Sequence, residues 1–69
     1  MTFSERLLFL RQKKGVLQQD VATAIGVSKH SYQRFEYGER EPRLLTLIAL
    51  ADFYGITLDE LVGRNPESK

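Results

Sequence analysis

Residues 18–36 read QQDVATAIGVSKHSYQRFE. At about 3.6 residues per turn, Val21, Ala22 and Ile25 share one side of a helix that Gly26 stops. Ser28 supplies the hydroxyl of an N-cap, and a second helix runs from it toward Gly38. The link Gly26-Val27-Ser28 is too short for an antiparallel hairpin with long overlap. It suits a sharp bend in which Gly26 takes the left-handed conformation that side chains with a Cβ disfavour. Ala22 then stands where crossing helices need a small side chain. Apolar residues at 21, 25, 27, 32 and 35 supply the core of the corner.

Helical periodicity continues on both sides, with no alternating strand pattern, repeat or low-complexity segment, so the chain reads as all-α. Upstream, Thr2 and Glu5 make a capping-box signature, and Phe3, Leu7, Leu10 and Arg11 share a face until Gly15. Downstream, EREPR (39–43) is a charged loop, and Pro42 sits where a fourth helix, about 43–54, begins. Its main face is expected to hold Leu44, Leu47, Ile48, Leu50, Ala51 and Tyr54, with Gly55 closing it. A short fifth helix follows from Thr57, boxed by Glu60, over Leu58, Leu61 and Val62. Residues 1–64 are expected to form one domain and residues 65–69 a polar tail.

At 69 residues the chain has room for a single small core. It has no cysteine, so packing must replace disulfides, and a reducing cytoplasm is the expected setting. No apolar run approaches a membrane span, and MTFSERLLFLRQKK lacks the order of a signal peptide. The formal net charge is only +1, but it is unevenly placed. Residues 1–43 carry eight Lys/Arg against five Asp/Glu, and residues 44–69 carry two against four. The first part is suited to an anionic partner.

On a wheel at about 100° per residue, residues 28–37 divide into two arcs. Ser28, Ser31, Tyr32 and Phe35 form one, and Lys29, His30, Gln33, Arg34 and Tyr37 the other. The outer arc carries long donors and no acid. Glu36 lies at the boundary, placed for a partner inside the domain. An α-helix fits the major groove of B-DNA, where Arg or Lys reads guanine and Gln reads adenine. The alternative is an ordinary solvated helix face.

The 18–36 segment resembles the helix-turn-helix of the phage-repressor type, the Cro-like and xenobiotic-response-element-like regulators. The similarity extends to LRQKKG at the end of the first helix, the EYGEREP loop, LLTLIALADFYG and ITLDELVGR, covering roughly residues 3–64 in register. It implies a compact five-helix lambda-repressor-like domain and a sequence-specific transcriptional regulator, a repressor by preference, that binds double-stranded DNA with the third helix in the major groove. The positions that match the family's base readers are Ser28, Lys29, His30, Gln33 and Arg34, foremost Lys29, His30 and Arg34. Gln18, at a helix N-terminus, matches the family's usual glutamine there, and with Arg40, Arg43, Lys13 and Lys14 it is expected to touch phosphate. Arg11 and Glu36 match a pair that bridges the first and third helices. Two departures stand out. Leu17 replaces the family's hydroxyl or amide cap, a loss of about 1 kcal/mol that Asp20 offsets in part. Tyr32 replaces an aliphatic residue, so its hydroxyl must reach solvent or a partner.

Leu45, Ala49 and Phe53 form a second apolar row on the fourth helix. With Leu58 they are expected to meet a second copy of the chain, as the resemblance implies, although burial in the chain's own core would serve as well. Such a homodimer sets two recognition helices about 34 Å apart on a pseudo-palindromic site. Leu8 and Phe9 lie off the core stripe without an assigned role. An enzyme is not expected: one histidine, no thiol and no phosphate-binding glycine loop leave no catalytic or metal-ligating set, cofactor or small-molecule substrate. The rival reading is a protein-interaction module, an antitoxin or regulatory partner with weak DNA contacts, which Glu39 and Glu41 beside the loop arginines favour.

Overall fold

The computed structural model describes residues 1–64. Five helices follow in order: α1 (Phe3–Lys14), α2 (Gln18–Ile25), α3 (Lys29–Glu36), α4 (Leu44–Tyr54) and α5 (Leu58–Val62), with no strand among the described residues. This is the expected all-α arrangement. The expected tail, residues 65–69, lies outside the described residues.

Local chemistry sets the helix ends. Thr2 Oγ1 accepts from Glu5 N at 3.2 Å while Glu5 Oε1 accepts from Thr2 N at 2.7 Å. Thr57 and Glu60 repeat the box at 3.1 and 2.9 Å. In both, hydrogen bonds from the threonine backbone and then its hydroxyl hold the glutamate carboxyl below its ordinary range. Leu17 has no side-chain oxygen to cap α2, and the Asp20 carboxylate compensates by accepting from Leu17 N at 2.9 Å. The bend between α2 and α3 falls at Gly26, with φ +78°. A Cβ there meets nothing within 4 Å, so the left-handed backbone alone opposes substitution. Gly26→Ala is expected to cost about 1–2 kcal/mol, read as a lower urea midpoint with unchanged slope.

α2 packs on α3 and α4, α1 on α3 and α5, and α4 on α5. Leu7, Val21, Ala22, Tyr32, Phe35, Leu50, Ala51 and Leu61 form the buried core. Ala22 is wholly buried where α2 meets its neighbours, the place its size suits.

α4 departs from its expected face. Leu47, Leu50, Ala51 and Tyr54 face inward, but Leu44 is 63% exposed and Ile48 lies at the solvent edge. A helix buries only a limited arc against its neighbours, and Leu44 and Ile48 overrun it on one side. The second row also divides. Leu45 is 79% exposed, whereas Phe53 packs against the core, edge-on to Tyr54 at 4.9 Å, with Lys14 Nζ 5.3 Å from its ring. Eight residues at about 100° each turn the row by about 80°, enough to carry Phe53 from solvent to the α1 side. On α1, Leu8 and Phe9 remain exposed, and Lys13 Nζ lies 5.9 Å from the Phe9 ring.

Candidate nucleic-acid interface

α3 begins at Ser28, whose hydroxyl accepts from Ser31 N at 3.1 Å and donates to Ser31 Oγ at 3.0 Å. Tyr32 and Phe35 are buried and meet edge to face, their ring centroids 6.5 Å apart. Their burial in the core fixes the rotation of the helix. It turns Lys29 and His30 fully outward and leaves Gln33 and Arg34 partly exposed beside them, with Tyr37 exposed at the end. Ser28 is exposed as well.

Glu36, the only acid in α3, is 8% exposed and turned into the domain. Its Oε2 accepts from Arg11 Nε at 2.5 Å, and its Oε1 accepts from Arg11 Nη2 at 3.2 Å and Gln18 Nε2 at 3.1 Å. Arg11 Nη1 also donates to the Val16 carbonyl at 3.1 Å, pinning the α1–α2 turn. Burial alone raises the Glu36 carboxyl, but hydrogen bonds led by that of Arg11 outweigh it and hold the group below its ordinary range. The Glu36 hydrogen bond raises Arg11 in turn. The outer face of α3 therefore keeps its donors without a neutralising acid from its own helix.

The Tyr32 hydroxyl is buried beside this cluster. The Glu36 carboxylate and the Tyr54 hydroxyl, itself buried, are its polar neighbours. Burial first, then the adjacent Glu36, pushes the Tyr32 phenol well above its ordinary range.

Two recesses flank α3. One, of about 360 Å³, is lined by Arg11, Leu17, Gln18, Gln19 and Lys29. The other, of about 240 Å³, gathers Ser31, Arg40, Glu41, Arg43 and Thr46 around the loop into α4. The expected phosphate contacts thus separate. Arg40 and Arg43 come together at one recess, and Gln18 lies at the other with its amide engaged by Glu36. Lys13 and Lys14 line neither, their ammonium groups lying over Phe9 and Phe53. Arg34 Nε is 3.9 Å from Glu39, an exposed pair of little energetic weight. Thr46 and Gln19 join the recesses without having been picked out from the sequence. Thr46 carried one usable signal, a hydroxyl three residues after Arg43 in the first turn of a helix.

Among the described residues no group of three or more His, Cys, Asp or Glu could hold a metal, and no helix is long and apolar enough to cross a membrane. The family model described as Helix-turn-helix matches residues 7–61. The chain is 42% identical over 61 residues to the cryptic phage CTXphi transcriptional repressor RstR of Vibrio cholerae, covering 88% of this chain and 55% of that one. It is 40% identical over 65 residues to the HTH-type transcriptional regulator AnsR of Bacillus subtilis, covering 94% and 56%. The chain thus spans little more than half the length of these curated relatives. Among solved structures it is similar to the P22 c2 repressor in complex with a synthetic operator, with a TM-score of 0.87 at 26% identity over 94% of this chain and 98% of the repressor chain.

Proposed function

The chain belongs to the helix-turn-helix family, matched over residues 7–61, and on that footing we propose that it regulates transcription by binding duplex DNA with α3 in the major groove. The observation that carries this reading is the outer face of α3. Lys29, His30, Gln33 and Arg34 point away from the core, and the helix's one acid is turned inward onto Arg11. Lys29, His30 and Arg34 are the leading base readers, with Ser28 and Gln33 beside them. The flanking recesses suit the two phosphate strands that border a major groove. Arg40 and Arg43 serve one, and the backbone N–H groups at the start of α2, with Gln18, serve the other. Lys13 and Lys14 add charge at longer range. The relatives' names as transcriptional regulators and the operator complex of the P22 c2 repressor support the same reading.

A homodimer is part of the proposal. Leu45 and Leu58 remain exposed, joined by Leu44, Ile48 and Val62, while Phe53 serves its own core. Sedimentation at micromolar concentration is expected to give a mass of two chains, and Leu45→Lys to return it to one.

Fluorescence anisotropy with random and operator-like duplexes tests the DNA reading. The logarithm of the association constant is expected to fall linearly with the logarithm of salt, steepening by about 0.9 per phosphate neutralised. Absence of binding at low salt sinks the proposal and favours the protein-interaction reading, for which Glu39 near Arg34 and Glu41 beside Arg40 and Arg43 speak. Arg34→Ala is expected to cost about 1–3 kcal/mol at one base pair only; equal losses on every sequence reduce Arg34 to a phosphate contact.

A further inference from the structure

We infer that Gln18 is a positioning residue that sets which atoms Gln33 turns to the DNA, and that it thereby selects adenine over guanine at the base pair under Gln33. This rests on the groove-binding reading above. An isolated glutamine amide can present its oxygen or its NH₂ group in either sense, so its identity alone does not fix what it reads. Here the sense is fixed from the interior outward. Arg11 clamps Glu36 through Nε and Nη2, and an ionised carboxylate only accepts. Gln18 must therefore turn its Nε2 to Glu36 Oε1, at 3.1 Å. That leaves Gln18 Oε1 facing α3, where Gln33 Nε2 donates to it at 3.0 Å. Turning over the Gln33 amide would set two carbonyl oxygens against each other, and turning over Gln18 would set its oxygen against the carboxylate.

Gln33 is left with its Oε1 and one N–H for an outside partner. That edge complements adenine, which offers the N6 amino group as donor and N7 as acceptor in the major groove. Guanine offers O6 and N7, both acceptors, so the fixed oxygen of Gln33 would face O6. Freed from Gln18, the same amide could rotate and donate to guanine. The discrimination at this base pair thus resides in a residue on α2 whose side-chain amide is turned to Glu36 and Gln33.

The test is selection of bound duplexes from a pool randomised over one half-site, followed by affinity measurements on single-base variants. Wild type, Gln18→Met, Gln33→Ala and the double variant are compared, each checked by thermal melting. Methionine keeps the length of the side chain and loses the amide, and Gln18→Ala guards against a misfit of the thioether. Wild type is expected to prefer adenine over guanine at one position by about fivefold or more. Gln18→Met and Gln33→Ala should each bring that ratio close to one at the same position, and the double variant should lose nothing further. Preferences elsewhere, including that set by Arg34, should persist. A uniform loss across all sequences with the adenine preference intact would make Gln18 a phosphate contact only and overturn the inference. So would a guanine preference at the position that Gln33→Ala relaxes. A wild-type protein that binds no duplex fails a different way, since the groove-binding reading then falls and takes this one with it.

Discussion

Arg11→Ala is expected to cost about 3–5 kcal/mol, a large part of what a domain of this size possesses. The loss exceeds that of the ion pair itself. Glu36 would keep its burial and the Gln18 amide but lose both guanidinium contacts, and the Val16 carbonyl would lose its donor. The pH dependence identifies the cause. In the wild type the folded-state pKa of Glu36 is depressed. Its contribution to stability is therefore present above the unfolded carboxylate pKa and is lost as pH falls through the folded value. Without Arg11, burial dominates and the folded pKa rises above the unfolded one. Stability in the variant should then be greatest at low pH and decline as pH rises through the raised value. Urea midpoints between pH 4 and 7 check this, and a variant whose midpoint still rises with pH as in the wild type contradicts it. Replacing both partners, Arg11→Met with Glu36→Leu, should recover most of the stability, because an apolar pair leaves no buried charge. It should also release Gln18.

Phe35→Ala is expected to cost about 3–5 kcal/mol by removing a 5%-exposed ring from the centre of the core and leaving a cavity beside Tyr32. In a chain of this length about 4–8 °C of melting temperature accompanies each kcal/mol, so the midpoint should fall by more than 10 °C. The same ring holds the rotation of α3, so DNA affinity should fall on every sequence alike. Phe35→Leu, which keeps most of the volume, should restore both. A full-strength DNA complex with Phe35→Ala would separate the core from the interface, contrary to this account.

The helix ends and the corner between α2 and α3 were legible because they are local. Thr2 with Glu5, Thr57 with Glu60, and Gly26 between two apolar stripes act within a few residues of sequence. The outer set of α3 was legible for the same reason, since Tyr32 and Phe35 declare the inner face and thereby the opposite one. Glu36 was placed at the boundary of the two arcs, and its pairing with Arg11 across 25 residues followed from the family resemblance rather than from spacing. The amide sequence from Glu36 through Gln18 to Gln33 was not legible. It depends on three side chains from two helices meeting within about 3 Å, which no periodicity encodes. That the Tyr32 hydroxyl needs a partner follows from its type, but that it lies buried beside Glu36 and Tyr54 depends on tertiary packing.

The amino-acid order by itself determined where each helix starts and stops and which face of α3 carries donors, because caps, glycines and apolar spacing act over one or two turns. The tertiary structure alone decided which of α4's apolar residues are covered. Leu44, Leu45 and Ile48 stay exposed while Phe53 is drawn in, because burial depends on where α2 and α5 pack on α4. It also decided that the amide of Gln18 turns to Glu36 and Gln33, since a hydrogen bond forms only between groups that packing brings within reach.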